Sequence, residues 1–102
     1  MYEYKEIFPA ELEKRRKDGA RLVDVRERWE YGEGHVPGAR NVPLGEVSGR
    51  VDELEEPVIL VCASGNRSSQ AAHYLTEHGI LKNVANLVGG TVGWQARGLL
   101  VE

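Results

Sequence analysis

The 102-residue chain predicts a three-layer α/β domain, with a central, mainly parallel sheet flanked by helices. Strand-like and helix-like patterns alternate along it, the order that builds strand–helix–strand units. The segment "PVILV" at 57–61 is apolar at every position after its proline. A strand buried on both faces, as in a parallel sheet between helices, has this composition. The segment that follows puts Ser68, Ala71, Ala72 and Leu75 on one helical stripe. Such small side chains let a helix lie close against a sheet.

Each element has its own signal. Residues 4–7 read as a short strand. Pro9 suits a first helical position, and "AELEKRRKDG" runs to a helix stop at Gly19. "ARLVDV" at 20–25 is an apolar, β-branched strand, followed by the polar "RERWEYGEGHVPGA". The Pro-Gly pair makes residues 35–38 a turn. "ARNVP" at 39–43 is a further short strand, and "LGEVSGRVDELEE" at 44–56 a weak helix broken by Gly45 and Gly49. Beyond the 57–61 strand, a helix runs to a stop at Gly79. "NVANL" at 83–87 is the last strand, "VGG" a turn and "TVGWQARG" a short closing helix.

Length and composition are those of one soluble domain spanning 1–102, with 41% hydrophobic and 28% charged residues. A net charge of −3 gives no electrostatic reason to expect nucleic acid or an anionic membrane as partner. The basic run Lys14-Arg15-Arg16-Lys17 is interleaved with Glu11, Glu13 and Asp18, the pattern of a solvated helix face. One cysteine excludes an internal disulfide and a multi-cysteine zinc site. The first residues lack the apolar core of a signal peptide, and no apolar run approaches membrane-spanning length. These readings place the chain in the cytoplasm, where a free thiol persists.

The single thiol, Cys62, follows the 57–61 strand and precedes a helix. In an open parallel sheet, ligands bind at the carboxyl ends of strands beside the starts of the following helices. The loop Ala63, Ser64, Gly65, Asn66 and Arg67 is small and polar. Gly65 lets its backbone curl, so that several N–H groups face inward. Those groups and the helix dipole favour negative charge, and a thiolate is such a charge. Arg67 adds a cation at the rim, or forms a structural ion pair.

Three thiol chemistries compete for this loop. A cysteine hydrolase needs a histidine touching the sulfur. His73 lies on the following helix, roughly 15 Å away at ~1.5 Å per residue, and pairs by spacing with Glu77. His78 is farther, and His35 sits in a structural turn. A tyrosine-phosphatase-like loop places five residues between cysteine and arginine, whereas four stand here. The smaller ring suits a tetrahedral phosphate or arsenate centre less well. Sulfur relay through a cysteine persulfide needs no histidine, metal or cofactor, and it fits the residues best.

Here the chain resembles the single-domain rhodaneses, a sulfurtransferase family. "LVDVRERWEYGEGHVPGARNVP" at 22–43 is similar to the family's first signature, "VCASGNRSSQAAHYLTEHG" at 61–79 to its cysteine loop and helix, and "NLVGGTVGW" at 86–94 to its closing motif. The resemblance implies that Cys62 carries the persulfide and that residues 63–67 bind the outer sulfur through their backbone amides. A six-residue loop counted from cysteine marks the family's sulfurtransferases, a seven-residue loop its phosphatase and arsenate-reductase relatives. The resemblance also implies that Arg67 aids anionic donors. Asp24 and Arg26 then tie a strand end to nearby backbone or to Glu30, while His35, Pro37, Gly38 and Asn41 shape a connection. Gly89 and Gly90 permit a close turn, and Trp94 belongs to the core. Val61 stands where the family often has an aromatic residue, a difference expected to alter packing and not chemistry. The implied donor is a small sulfur-containing anion such as thiosulfate, or a persulfide. The acceptor is cyanide or a thiol, and a sulfur-relay protein could serve as partner. A non-catalytic interaction module and a phosphatase or arsenate-reductase relative are the alternatives.

Overall fold

The computed structural model describes residues 3–102. Five strands form one sheet: β1 (Lys5–Ile7), β2 (Arg21–Asp24), β3 (Arg40–Asn41), β4 (Val58–Val61) and β5 (Val84–Leu87). Their spatial order is β1-β5-β4-β2-β3, and every pairing is parallel. Four α-helices connect or follow them: α1 (Leu12–Lys17), α2 (Arg28–Gly32), α3 (Asn66–Glu77) and α4 (Gly90–Ala96).

β4 occupies the middle of the sheet and is buried at all four positions, as its unbroken apolar run requires. Successive side chains alternate between the faces. Val58, Leu60 and Cys62 therefore join Ala71, Ala72 and Leu75 of α3 in one apolar cluster. Ile59 and Val61 join Leu12 of α1, with Tyr31 of α2 and Trp94 of α4 packed against them, in the other. These two clusters make the three layers. Glu56 fixes the amino-terminal edge: its Oε1 accepts the backbone N–H groups of Lys82 and Asn83 at 2.6 and 2.7 Å.

Several elements differ from the sequence reading in extent. The first helix opens as a 3₁₀ turn over Pro9–Glu11, with the Phe8 N–H held by Glu11 Oε2 at 2.8 Å, and becomes α-helical only at Leu12. The 44–56 segment is not a helix but two 3₁₀ turns, Leu44–Gly49 and Val51–Glu53, parted at Arg50. β3 is reduced to two paired residues, although Val42 and Leu44 still donate to Asp24 and Val25 on either side of Pro43, which has no N–H to give. α2 lies inside the polar stretch to which the sequence reading assigned no element. Its start is held by Glu30, whose Oε1 accepts the Glu27 N–H at 3.0 Å, one half of a cap whose other half is usually a serine or threonine. No helix among the described residues is long and apolar enough to cross a membrane.

Because all strands run the same way, Ile7, Asp24, Asn41, Val61 and Leu87 end at one edge of the sheet. The candidate site is built on that edge.

Candidate active site

Cys62 is the first residue beyond β4 and is 1% exposed. Residues 63–65 turn the chain sharply, with Gly65 at φ +107° acting as the N-cap of α3. Only glycine takes that conformation without strain. The turn brings the Gly65 N–H to 3.1 Å from Cys62 Sγ and places Ser68 Oγ, one turn into α3, 3.3 Å from the same atom.

The loop's carbonyl groups are held away from the sulfur by α4. Thr91 donates its N–H to Cys62 O at 2.8 Å, and Val92 donates to Ala63 O at 2.9 Å. This close approach is why position 90 is glycine. An added Cβ there would lie 2.2 Å from Cys62 O and 2.6 Å from Ala63 O. The glycines of the third motif thus seat one helix start against the cysteine loop.

Burial pushes the Cys62 thiol up. The Ser68 hydroxyl, followed by the backbone N–H groups of Ser68, Gly65 and Ser64, more than offsets burial and brings the thiol below the ordinary cysteine value. Uncharged dipoles oriented by the fold therefore favour the thiolate.

Ser68 is fully buried and its single proton has three acceptors in reach: Cys62 Sγ, Gly65 O at 3.3 Å and the side-chain oxygen of Asn86 on β5. Asn86 in turn donates through Nδ2 to Glu6 Oε2 on β1 at 3.0 Å. That second bond fixes which end of the amide faces Ser68. An uncharged thiol leaves the hydroxyl to Asn86, whereas a thiolate competes for the same proton with a full charge.

Arg67 turns to the other side of the loop. Its two terminal nitrogens meet the two oxygens of Glu30 on α2 at 2.6 and 2.8 Å. Arg67 holds the Glu30 carboxyl at about 2, with burial opposing and the Glu27 N–H assisting. Arg26 does not compete for Glu30. It forks onto Asp24 at 2.8–3.0 Å and donates to Gly34 O at 2.8 Å, while Asn41 Nδ2 bridges the carbonyls of Asp24 and Arg26 at 2.9 Å.

The six residues singled out in the sequence thus divide by role in the geometry. Cys62 stands at the floor, and the N–H groups of Ser64 and Gly65 face it. Ala63 ties the loop to α4 through its carbonyl, Asn66 opens α3 with its side chain exposed, and Arg67 is paired with Glu30. His35 stacks on Tyr31 and meets Glu102, and His73 meets Glu77 at 2.8 Å, as the spacing suggested. Ser68 and Asn86 are the positions of this hydrogen-bonded cluster that sequence reasoning missed. Ser68 reads as a small packing residue on the α3 stripe. Asn86 carried the clearer signal, a polar side chain inside an apolar strand, which needs a buried partner.

The family model for the rhodanese-like domain matches residues 8–97. The thiosulfate sulfurtransferase GlpE of Pseudomonas fluorescens (strain SBW25) is 37% identical over 97 residues, covering 93% of this chain and 88% of that protein. YrkF of Bacillus subtilis (strain 168) is 41% identical over 78 residues, 74% of this chain and 42% of YrkF, so the chain spans less than half of that relative. Among solved structures, a rhodanese-related protein from Thermoplasma volcanium matches with a TM-score of 0.84 at 31% identity, covering 97% of this chain and 98% of that one.

Proposed function

The chain belongs to the rhodanese-like domain family, and from that premise we propose that residues 1–102 act as one sulfurtransferase unit with Cys62 as its nucleophile. One observation carries the reading: a buried thiol at the end of the central strand, held below its ordinary value by the Ser68 hydroxyl and the N–H groups of the following loop. The name of the Pseudomonas relative supports thiosulfate as a donor.

In the first half-reaction the Cys62 thiolate attacks the outer sulfur of the donor. The donor's S–S bond breaks, its electron pair leaves with sulfite or with the donor thiolate, and Cys62 keeps a persulfide. In the second, cyanide or a thiolate attacks the outer sulfur of that persulfide and returns Cys62 as thiolate. Residues 63–67 supply the turn and the inward N–H groups; Ser68 supplies a hydroxyl donor to the reacting sulfur. No metal or organic cofactor enters either step. The donor is thiosulfate or a persulfide, the acceptor cyanide or a thiol, and a second sulfur-relay protein could stand on either side. A free cysteine used in this way suits the reducing cytoplasm.

Intact mass after incubation with thiosulfate tests the reading. The expected result is a gain of one sulfur atom, lost on addition of cyanide and absent in Cys62→Ser, because a hydroxyl without a neighbouring base is a poor nucleophile. No sulfur adduct from either thiosulfate or a persulfide would overturn it.

A further inference from the structure

We propose that Glu30 is a specificity residue: by neutralising Arg67 it leaves the Cys62 site insensitive to the extra negative charge of a dianionic sulfur donor. The inference rests on the sulfurtransferase reading and refines its substrate class, to donors recognised by their transferable sulfur and not by their net charge.

Three observations converge on Glu30. Both terminal nitrogens of Arg67 are committed to the two Glu30 oxygens, at 2.6 and 2.8 Å, which is the bidentate geometry that a donor's oxyanion would otherwise use. Glu30 is fixed independently of Arg67, since its Oε1 also accepts the Glu27 N–H at 3.0 Å at the start of α2. The Glu30 side chain is 16% exposed and that of Arg67 34%, so the pair is half-buried at the rim of the loop, with the carboxylate the better shielded partner. The neighbouring cation is closed in the same way, Arg26 being forked onto the fully buried Asp24. The groups that act on Cys62 Sγ are uncharged: the Ser68 hydroxyl and the N–H groups of Ser68, Gly65 and Ser64.

Thiosulfate and methanethiosulfonate make a matched pair of probes. Each delivers its outer sulfur to the Cys62 thiolate as its S–S bond breaks, one releasing sulfite and the other methanesulfinate. They differ by one charged oxygen replaced by a methyl group. The readout is the ratio of kcat/KM for the two donors, thiosulfate over thiosulfonate, compared between variants so that intrinsic donor reactivity cancels.

Glu30→Gln should raise this ratio about tenfold, the effect of one charge-assisted contact made available to the dianion. The rise should shrink with added salt and vanish in the Glu30→Gln/Arg67→Gln double variant. Arg67→Gln alone should lower the ratio, since it leaves the Glu30 carboxylate uncompensated beside the loop. The double variant removes both charges together, so its ratio should stay within about twofold of wild type. A Glu30→Gln enzyme that loads sulfur with an unchanged or lower ratio overturns the inference. A several-fold fall of the ratio in the double variant overturns it too, because Arg67 would then engage the donor despite Glu30. If neither donor loads the wild-type protein, the sulfurtransferase reading fails, and this inference falls with it; loading with the wrong ratios removes the inference alone.

Discussion

Replacing Gly90 by alanine tests how the third motif holds the cysteine loop. Gly90 sits at φ +58°, where a side chain costs about 1–2 kcal/mol. The new Cβ would stand 2.2 Å from Cys62 O, 2.6 Å from Ala63 O and 2.7 Å from the Ala63 carbonyl carbon. Ordinary contact lies near ~3.5 Å, so the loop backbone and the start of α4 must separate by about 1 Å. That movement stretches the bonds from Thr91 and Val92 to the same two carbonyls, each contributing ~0.5–1.5 kcal/mol. The expected loss of stability is about 2–5 kcal/mol. Displacing the Cys62 carbonyl also shifts Sγ relative to Gly65 and Ser68, and a misplacement of ~1 Å costs on the order of a hundredfold in rate.

Gly89→Ala is the control. Its φ of +81° carries the same kind of strain, but its Cβ would meet only Gly93 Cα, at 3.4 Å. Urea unfolding and sulfur-loading rates should therefore separate the two variants, with Gly90→Ala lower in both. Gly90→Ala that matches Gly89→Ala in stability and loading would refute the argument that the loop is seated by close backbone contact.

Ser68→Ala should raise the pH at which Cys62 becomes reactive toward an alkylating agent, since it removes a donor from the thiolate while burial continues to oppose ionisation; an unchanged profile would leave the backbone amides as sole cause. Asn86→Leu, which deletes the competing acceptor while filling the space, should shift the same profile slightly downward or leave it in place; a strong upward shift would mean that Asn86 orients the Ser68 proton toward sulfur. Glu30 has its folded value lowered to about 2 from an ordinary 4.5, so its contribution to stability is complete above pH 4.5 and disappears as pH falls toward 2. Urea melts of wild type and Glu30→Gln should converge over that window, and a constant difference down to pH 2 would count against the ion pair as its source.

The sheet was legible in the sequence because β4 is buried on both faces and is therefore apolar without interruption, a signal that a half-exposed strand lacks. The cysteine loop was legible for a different reason: a small, glycine-containing turn between a buried strand and a helix has few other uses. α2 escaped notice because its capping residues are Glu27 and Glu30, which in a polar stretch look like ordinary surface charge. The partner of Arg67 was hidden by the same ambiguity. Two arginines and two carboxylates lie within reach of one another, and composition does not say which pairs with which. The forked Asp24–Arg26 contact consumes one pair and leaves Glu30 to Arg67. Ser68 and Asn86 are 18 positions apart, and their contact depends on the β4–β5 register that sets Leu60 opposite Asn86. Nothing local encodes it.

A thiol that is 1% exposed and still lies below its ordinary value needs donors already in place, because water cannot supply them. Oriented dipoles meet that need without reorganising as charge develops. Each segment of the carboxyl edge secures part of the arrangement. α4 takes up the Cys62 and Ala63 carbonyls, and the N–H that shares a peptide unit with the second, that of Ser64, faces the sulfur. α2 takes up Arg67, so that the loop carries no uncompensated charge of its own on that side. β5 offers Ser68 an alternative acceptor for the periods when Cys62 is not ionised. In the proposed reaction a persulfide would carry the negative charge outward by one S–S bond, about 2 Å, toward loop N–H groups whose backbone is held from behind by α4. The distance from Thr91 and Val92 to the loop carbonyls is therefore as much a part of the sulfur site as the distance from Gly65 to Cys62.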